Sequence, residues 1–580
     1  MPWDDFRSYR VTRLVGMLTA ALAWTLSIYI VFTTILSVHR FYAAVPYGDI
    51  WWFVRDMSEF RSHRIGLNFL WGLHGEHRLV LPRLILWIDL QLFRFRGLFA
   101  IFCSFLLQGS EALLLCFAFW RATKNNLPSK VAYAALVFGM MFSASQIENL
   151  VQPFQVQFPL AFFTASVSIF LTLRHCETPG GNWVAMILGL VAAACGTLSL
   201  GSGLLVWPVL LLICLVERAS PRTLATATVA GVAMWIFYFI GYLTPPDSTN
   251  PWASLTHPIS IAAFTFTFLA SALSTTPSHL AGILGLFSLS IVALGFVLYA
   301  RARSDSFWKS HAFFVYLALF IVGTALLAAL GRLNCGLEEA ATIRYRTPTL
   351  IFWASILGLG SSWWNETVGD VGRSLGTPIL AVLFLITFVI PAQRMPIEHF
   401  ARLSKQINDD SIALAFDATA DVYGRLFDIR PDLVRDYTPF LRENHLSLFA
   451  DRLFTARGES LTTLFVGIWP QACSGSFDRL QPLEDTAQQK GAAFGWGWLR
   501  NESYGPATIV LADASGTIVG LAHGMEPRPD VAAYFHNPKM LATGWSGYFH
   551  AEPTSRAITA YAVPPGGKTL CPLGEVGLQH

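Results

Sequence analysis

Leu14–Leu36 reads LVGMLTAALAWTLSIYIVFTTIL, and the fold class turns on it. The stretch carries no charge, and an apolar run of about 20 residues crosses the hydrocarbon core of a bilayer as a helix. Arg7, Arg10 and Arg13 precede it, but the run is too long for a secretory signal core and no small-x-small cleavage site follows. It is therefore expected to stay as a first span. Beyond it, residues 37–97 interleave charge with tryptophan, in VPYGDIWWFVRDMSEF and LWGLHGEHRLVLPRLILWIDLQLF. That pattern predicts a surface loop with two amphipathic helices.

Composition agrees. The 580 residues are 54% hydrophobic and 13% charged, with a mean hydropathy of +0.48. A soluble enzyme has about a quarter of its residues charged. A net charge of +3 without a basic cluster points to no nucleic-acid partner. Further apolar stretches lie near 98–120, 130–145, 158–173, 183–198, 203–216, 223–243, 280–300, 310–330, 347–361 and 376–391, making about eleven spans in all. Thr347-Pro348 and Thr377-Pro378 each offer a capping Thr and a Pro suited to a first helical turn.

Lys and Arg favour the cytoplasmic side of spans. The N-terminus, Arg121–Lys130, Arg174, Arg218–Arg222 and Arg301–Lys309 are all expected there, provided that 258–275 is a surface or re-entrant helix. Otherwise Arg301, Arg303 and Lys309 fall outside and the turn Thr276–His279 carries no basic residue. Segments 37–97, 144–157, 244–279 and 331–346 and the C-terminal tail then share the opposite face. Three domains follow: a transmembrane part, 1–391; a helical connector, 392–457; and a strand-rich region, 458–580, whose short apolar runs between turns predict a small β-sandwich. Cys473 and Cys571 lie near the two ends of that region, and an extracytoplasmic tail favours a bridge between them.

Four constellations can carry chemistry. Asp49 sits in Tyr47-Gly48-Asp49-Ile50-Trp51-Trp52, as a helix cap or as a base facing a cavity. His74-Gly75-Glu76-His77-Arg78 offers a carboxylate and imidazoles for a divalent cation and a guanidinium for phosphate; an interfacial salt-bridge cluster is the plainer alternative. Its histidines lack the i, i+4 spacing of a helical zinc pair. Ser145-Gln146-Ile147-Glu148-Asn149 with Gln152, Gln155 and Gln157 can hydrogen-bond sugar hydroxyls, or simply neighbouring loops. Arg332, Arg344 and Arg346 lie on the expected outer face, where topology gives positive charge no reason to be; they suit a lipid phosphate, or pair with Glu338 and Glu339.

With an acidic residue opening the first outer loop, Glu148 in the next, arginines in a late outer loop and a polar C-terminal domain, residues 1–391 resemble the GT-C superfamily of membrane glycosyltransferases. The chain also looks like bacterial membrane proteins with similar GD/DEW, NEHR and SRY segments. One departure is that Gly48 and Ile50 flank Asp49, where many members have paired acids. The resemblance implies transfer of a sugar from a polyprenyl-phosphate donor to a glycan, lipid or protein acceptor, at the periplasmic face of a bacterial inner membrane. Asp49 would act as base with Glu148 as helper. Arg344 and Arg346 would hold phosphate, with Arg332 near and Arg78 in reserve, and Glu76 and His77 would shape the acceptor side. No cofactor is certain; a divalent metal at Asp49, Glu76 and His77 is left open. The alternatives are a flippase or transporter for a lipid-linked glycan, which would want charges inside its spans, and a non-catalytic assembly protein.

Overall fold

The computed structural model describes residues 3–123, 126–243, 251–274, 279–302, 306–368, 370–483, 489–500 and 504–578. Lys124, the segment 244–250, Thr276–Ser278 of the turn before His279, Arg303 and the Arg7 side chain, all used in assigning the faces, lie outside the described residues.

The structure is 69% helical. Among the described residues eight helices are long and apolar enough to cross a membrane: Arg10–Phe41, Leu98–Ala122, Leu127–Val151, Pro153–Glu177, Pro221–Phe239, His279–Ala302, Phe307–Cys335 and Gly372–Ala415. Several turn large apolar side chains outward, as with Leu18, Phe32, Val229, Ile236, Ile283 and Phe287. Contiguous apolar surface of that kind suits lipid, not water. The chain is thus compatible with a multi-pass membrane protein. Three expected spans differ. The stretches 183–198 and 203–216 form the shorter helices Trp183–Thr197 and Val206–Val216, and 347–361 lies within Arg346–Thr367, which is not among the eight. The helix Pro258–Ala270 has 13 residues, fewer than the roughly 20 that a span needs.

Helix starts follow local chemistry. Asn126, Asn182 and Ser220 each accept a bond from the backbone N–H three residues on, satisfying one of the first turn's free donors. The two expected Thr-Pro starts are corrected. Arg346–Thr367 begins one residue before Thr347, and Pro378 lies inside the helix Asp370–Phe384. An interior proline removes the N–H that would bond the carbonyl four residues back, here Ser374. That region of the helix is held from outside instead. The Arg373 carbonyl accepts Asn126 Nδ2 at 2.5 Å and Ser129 Oγ at 3.0 Å. Gly16 packs so close to the Ser374 carbonyl that a Cβ there would stand 2.4 Å from its oxygen.

The chain groups into two compact units. One comprises Met1–Tyr42, Leu67–Ile88 and Leu98–Ala401; the other comprises Ala43–Gly66, Asp89–Gly97 and Arg402–His580. This grouping differs from the expected domains at 391 and 457, because two pieces of the 37–97 loop join the tail. Within that second unit the Gly48 N–H bonds the Leu426 carbonyl (2.8 Å), the Ser447 N–H bonds Arg94 (2.7 Å), and Tyr437 donates to Glu59 (2.8 Å). The first unit has one large core, with Tyr133, Met140, Phe162, Trp207, Phe264, Phe314 and Trp353 inside.

Among the described residues the tail forms a single eight-stranded sheet rather than the two facing sheets of a sandwich. Its strands run Gly467–Ile468, Thr569–Gly577, Ala557–Val563, Thr508–Asp513, Ile518–Glu526, Gly544–Ala551, Gln489–Leu499 and Cys473–Pro482 in spatial order, antiparallel except for the first pair. The sheet curls around its own core of Phe477, Ile509, Leu511, Trp545, Phe549 and Leu573. Glycines permit the curl: Gly495 lies under the Trp545 ring, where a Cβ would come within 2.3 Å of it. Cys473 and Cys571 form a disulfide, with Cα atoms 6.0 Å apart.

Candidate functional site

In the first unit a short hairpin presents His74, Glu76 and His77. Leu73–His74 pairs with His77–Arg78, His74 opposite His77, across the loop Gly75-Glu76. Gly75 takes φ +52, the positive value that a two-residue hairpin loop asks of its first residue. The Glu76 carboxylate receives Arg332 Nη2 at 3.0 Å. The Glu76 carbonyl accepts both Tyr238 and Tyr242 hydroxyls, at 3.2 and 3.3 Å. His77 has its Nδ1 sealed from solvent, with no hydrogen-bond partner among the described residues. Gly201 sits directly against it; a Cβ there would stand 2.7 Å from that nitrogen. Burial pulls the His77 pKa down to about 4; Glu76 resists the shift, while Arg332, His74 and Arg344 add to it. The ring is neutral at physiological pH.

Arg78 has another task. Its guanidinium is buried over the Trp71 ring and donates to three backbone carbonyls, Tyr238 (2.6 Å), Trp71 (2.5 Å) and Ile240 (2.5 Å). These bonds clip the hairpin to the end of the helix Pro221–Phe239, and they occupy the fork expected to serve phosphate in reserve.

The amide segment and the late arginines meet. Residues 144–157 form short helical turns between two long helices, and Ile343–Tyr345 is a turn leading into Arg346–Thr367. Asn149 Nδ2 donates to the Arg344 carbonyl and to Thr347 Oγ1, both at 2.8 Å. Thr347 donates to Gln146 Oε1 (2.5 Å), which also accepts Gln108 Nε2 (2.7 Å). Gln155 donates to Glu148 at 3.1 Å. The amides thus largely bond one another and their neighbours. Arg344 pairs with Glu339, and Glu148 lies near enough to add its field; despite the cost of burial, Tyr345 and these carboxylates hold Arg344 above the usual arginine range.

Arg346 is the exception. Its side chain is wholly buried, and only Nη1 finds an acceptor, the Ser145 carbonyl at 3.0 Å. Among the described residues Nε and Nη2 have no partner, and neither do Ser145 Oγ, Asn149 Oδ1 and Gln157 Oε1 nearby in the sequence. Glu148 is the carboxylate whose field reaches this guanidinium. Leaving buried donors unsatisfied costs about 1–3 kcal/mol each, more when charged.

Asp49 belongs to the second unit, just before the helix Ile50–Arg61. Its backbone is helical (φ −59°, ψ −17°), and its carboxylate makes no capping hydrogen bond. Nearby, the guanidinium groups of Arg55 (4.7 Å) and Arg430 (5.0 Å) each approach the Trp52 ring, and Arg55 pairs with the buried Asp56 at 2.5 Å. Among the described residues no three His, Cys, Asp or Glu side chains converge as a metal-binding set, so the option of a metal at Asp49, Glu76 and His77 gains no ligand set.

Sequence reasoning overlooked Gln108 and Glu111, both buried in the helix Leu98–Ala122. Polar residues in the stretch 98–120 were the available signal. Glu111 Oε1 accepts Ser166 Oγ at 2.9 Å while Oε2 has no partner among the described residues. Compared with known proteins, the chain matches no family model, no curated protein and no solved structure.

Proposed function

We propose that the chain is a multi-pass membrane glycosyltransferase. It moves a sugar from a polyprenyl-phosphate donor to a cell-envelope glycan, lipid or protein acceptor, on the periplasmic face of a bacterial inner membrane. The observation that carries this reading is Arg346: a guanidinium wholly out of water, with two nitrogens lacking acceptors, is suited to an oxyanion delivered from outside the chain. In this reading Arg346 and Arg344 hold the donor phosphate, with Arg332 near them, and Glu148 keeps the charge in balance. Glu76 and His77 line the acceptor side. Asp49 is the base by resemblance. It takes the proton of the acceptor hydroxyl as that oxygen bonds the anomeric carbon, and the bond to phosphate breaks with its electrons leaving on the phosphate. The arginines stabilise that leaving charge.

The test uses the purified protein in nanodiscs and a polyprenyl-phosphate titration. Arg346→Lys keeps the charge but loses the fork, so affinity should fall about tenfold or more, the worth of a charge-assisted bond, at an unchanged melting temperature. Asp49→Asn should leave donor binding intact and cut transfer about 10²–10⁴-fold. Wild-type affinity in Arg346→Lys would overturn the phosphate site; wild-type transfer in Asp49→Asn would overturn the base.

Glu111 favours a second reading, a transporter or flippase for the lipid-linked glycan. An ionisable residue buried within a candidate span marks an ion or substrate path by default. If that reading holds, Glu111→Gln abolishes flux across sealed vesicles, whereas a transferase loses little.

A further inference from the structure

The helices Gln157–Glu177 and Ser306–Arg332 carry the candidate site at one end, through Gln157 and Arg332. Their other ends, with the end of Leu98–Ala122, enclose a cavity of about 60 Å³. At 1.5 Å per residue it lies about 25–35 Å along the helices from the candidate site, close to the thickness of a bilayer's hydrocarbon core. Arg121, Arg174 and Lys309 line it with Ser310, against the phenyl rings of Phe170 and Phe313. Glu177 is the one carboxylate among the lining residues. Glu177 accepts Arg174 Nη1 at 2.7 Å and stands 3.9 Å from Arg121 Nη2. Among the described residues Lys309 has no carboxylate partner, so the lining keeps an excess of two positive charges. The guanidinium groups are part-exposed, and the rings of Trp120 and Trp183 stand outward at the same level. Exposed tryptophans there are the mark of a membrane–water interface.

We infer that this cavity binds the phosphate of an anionic membrane lipid, at the surface opposite the candidate site. The apolar back wall strengthens each charge by excluding water, and the exposed mouth at headgroup level admits a lipid whose chains stay in the bilayer. The inference rests on the helices crossing a membrane, not on the reaction assigned to the other end.

The experiment measures binding to the full chain in detergent at fixed ionic strength, with three probes: a short-chain phosphatidylglycerol, the matching phosphatidylcholine, and inorganic phosphate. Phosphatidylglycerol should bind most tightly. Arg121→Gln and Lys309→Gln should each weaken it about fivefold, the worth of one basic residue near a charged surface. Glu177→Gln, which keeps all three cations, should tighten it. Equal binding of phosphatidylcholine, no phosphatidylglycerol binding, or weaker binding in Glu177→Gln would overturn the inference. Inorganic phosphate binding as tightly as the lipid would make this a free-oxyanion site and overturn the lipid assignment. Transfer is not read, so failure here leaves the glycosyltransferase reading untouched.

Discussion

His77 shows how a single residue ties the site to pH. Its pKa of about 4 in the folded chain lies below the ordinary 6.5 of an unfolded histidine. Between those values the unfolded chain binds a proton that the folded chain refuses, so stability falls as pH drops from about 6.5 towards 4 and is fully present above 6.5. Replacing His77 by Gln removes this dependence. Melting temperatures measured from pH 7.5 to 4.5 should fall more steeply for the wild type than for His77→Gln; parallel curves would show that folding leaves the pKa of the ring unshifted. At this scale the sequence was legible in part. Arg344 and Glu339 are close in the chain, so their pairing could be weighed from spacing alone. Glu76 and Arg332 stand 256 positions apart, and nothing local links them. Arg346 looked like its neighbour Arg344, yet only burial distinguishes a guanidinium already engaged by a carboxylate from one left without acceptors.

At the scale of elements, the apolar runs could be read directly; the capped starts at Asn126, Asn182 and Ser220 were not among the expected ones, although a helix start depends on only a few adjacent residues. Pro378 misled because what carries the helix past it is not local. A proline after threonine is favourable at a helix start, and only the external bonds from Asn126 and Ser129 show why the helix continues through it. In the tail, strand-rich segments were legible, but one curled sheet and two facing sheets share the same local alternation. The disulfide closes a loop with a sequence separation of 98 residues. Cross-links of that span typically contribute about 2–5 kcal/mol. Cys473→Ala/Cys571→Ala should therefore lower the melting temperature of the sheet; an unchanged melting temperature would mean that the thiols are not linked in the native protein.

For the whole molecule, the presence of many long apolar helices was legible because hydropathy is a sum over many residues and survives local errors. The grouping of Ala43–Gly66 with Arg402–His580 was not, since it depends on backbone bonds between positions hundreds of residues apart, such as Gly48 to Leu426. The distribution of basic turns leads to an expected orientation, with the N-terminus cytoplasmic and the tail outside. A reporter active only in the cytoplasm, fused after Leu578, should be silent; an active one would invert the orientation and remove the oxidising setting that a Cys473–Cys571 bridge requires.

The tail disulfide also bears on aggregation. Cys473 lies on the strand at one edge of the sheet, and Cys571 lies on the strand next to the other edge, which is covered only by Gly467–Ile468. An exposed edge is a template on which another chain can add strands. The bridge draws the two ends of the sheet towards each other, so the oxidised tail should offer neighbouring chains less open edge than the reduced one.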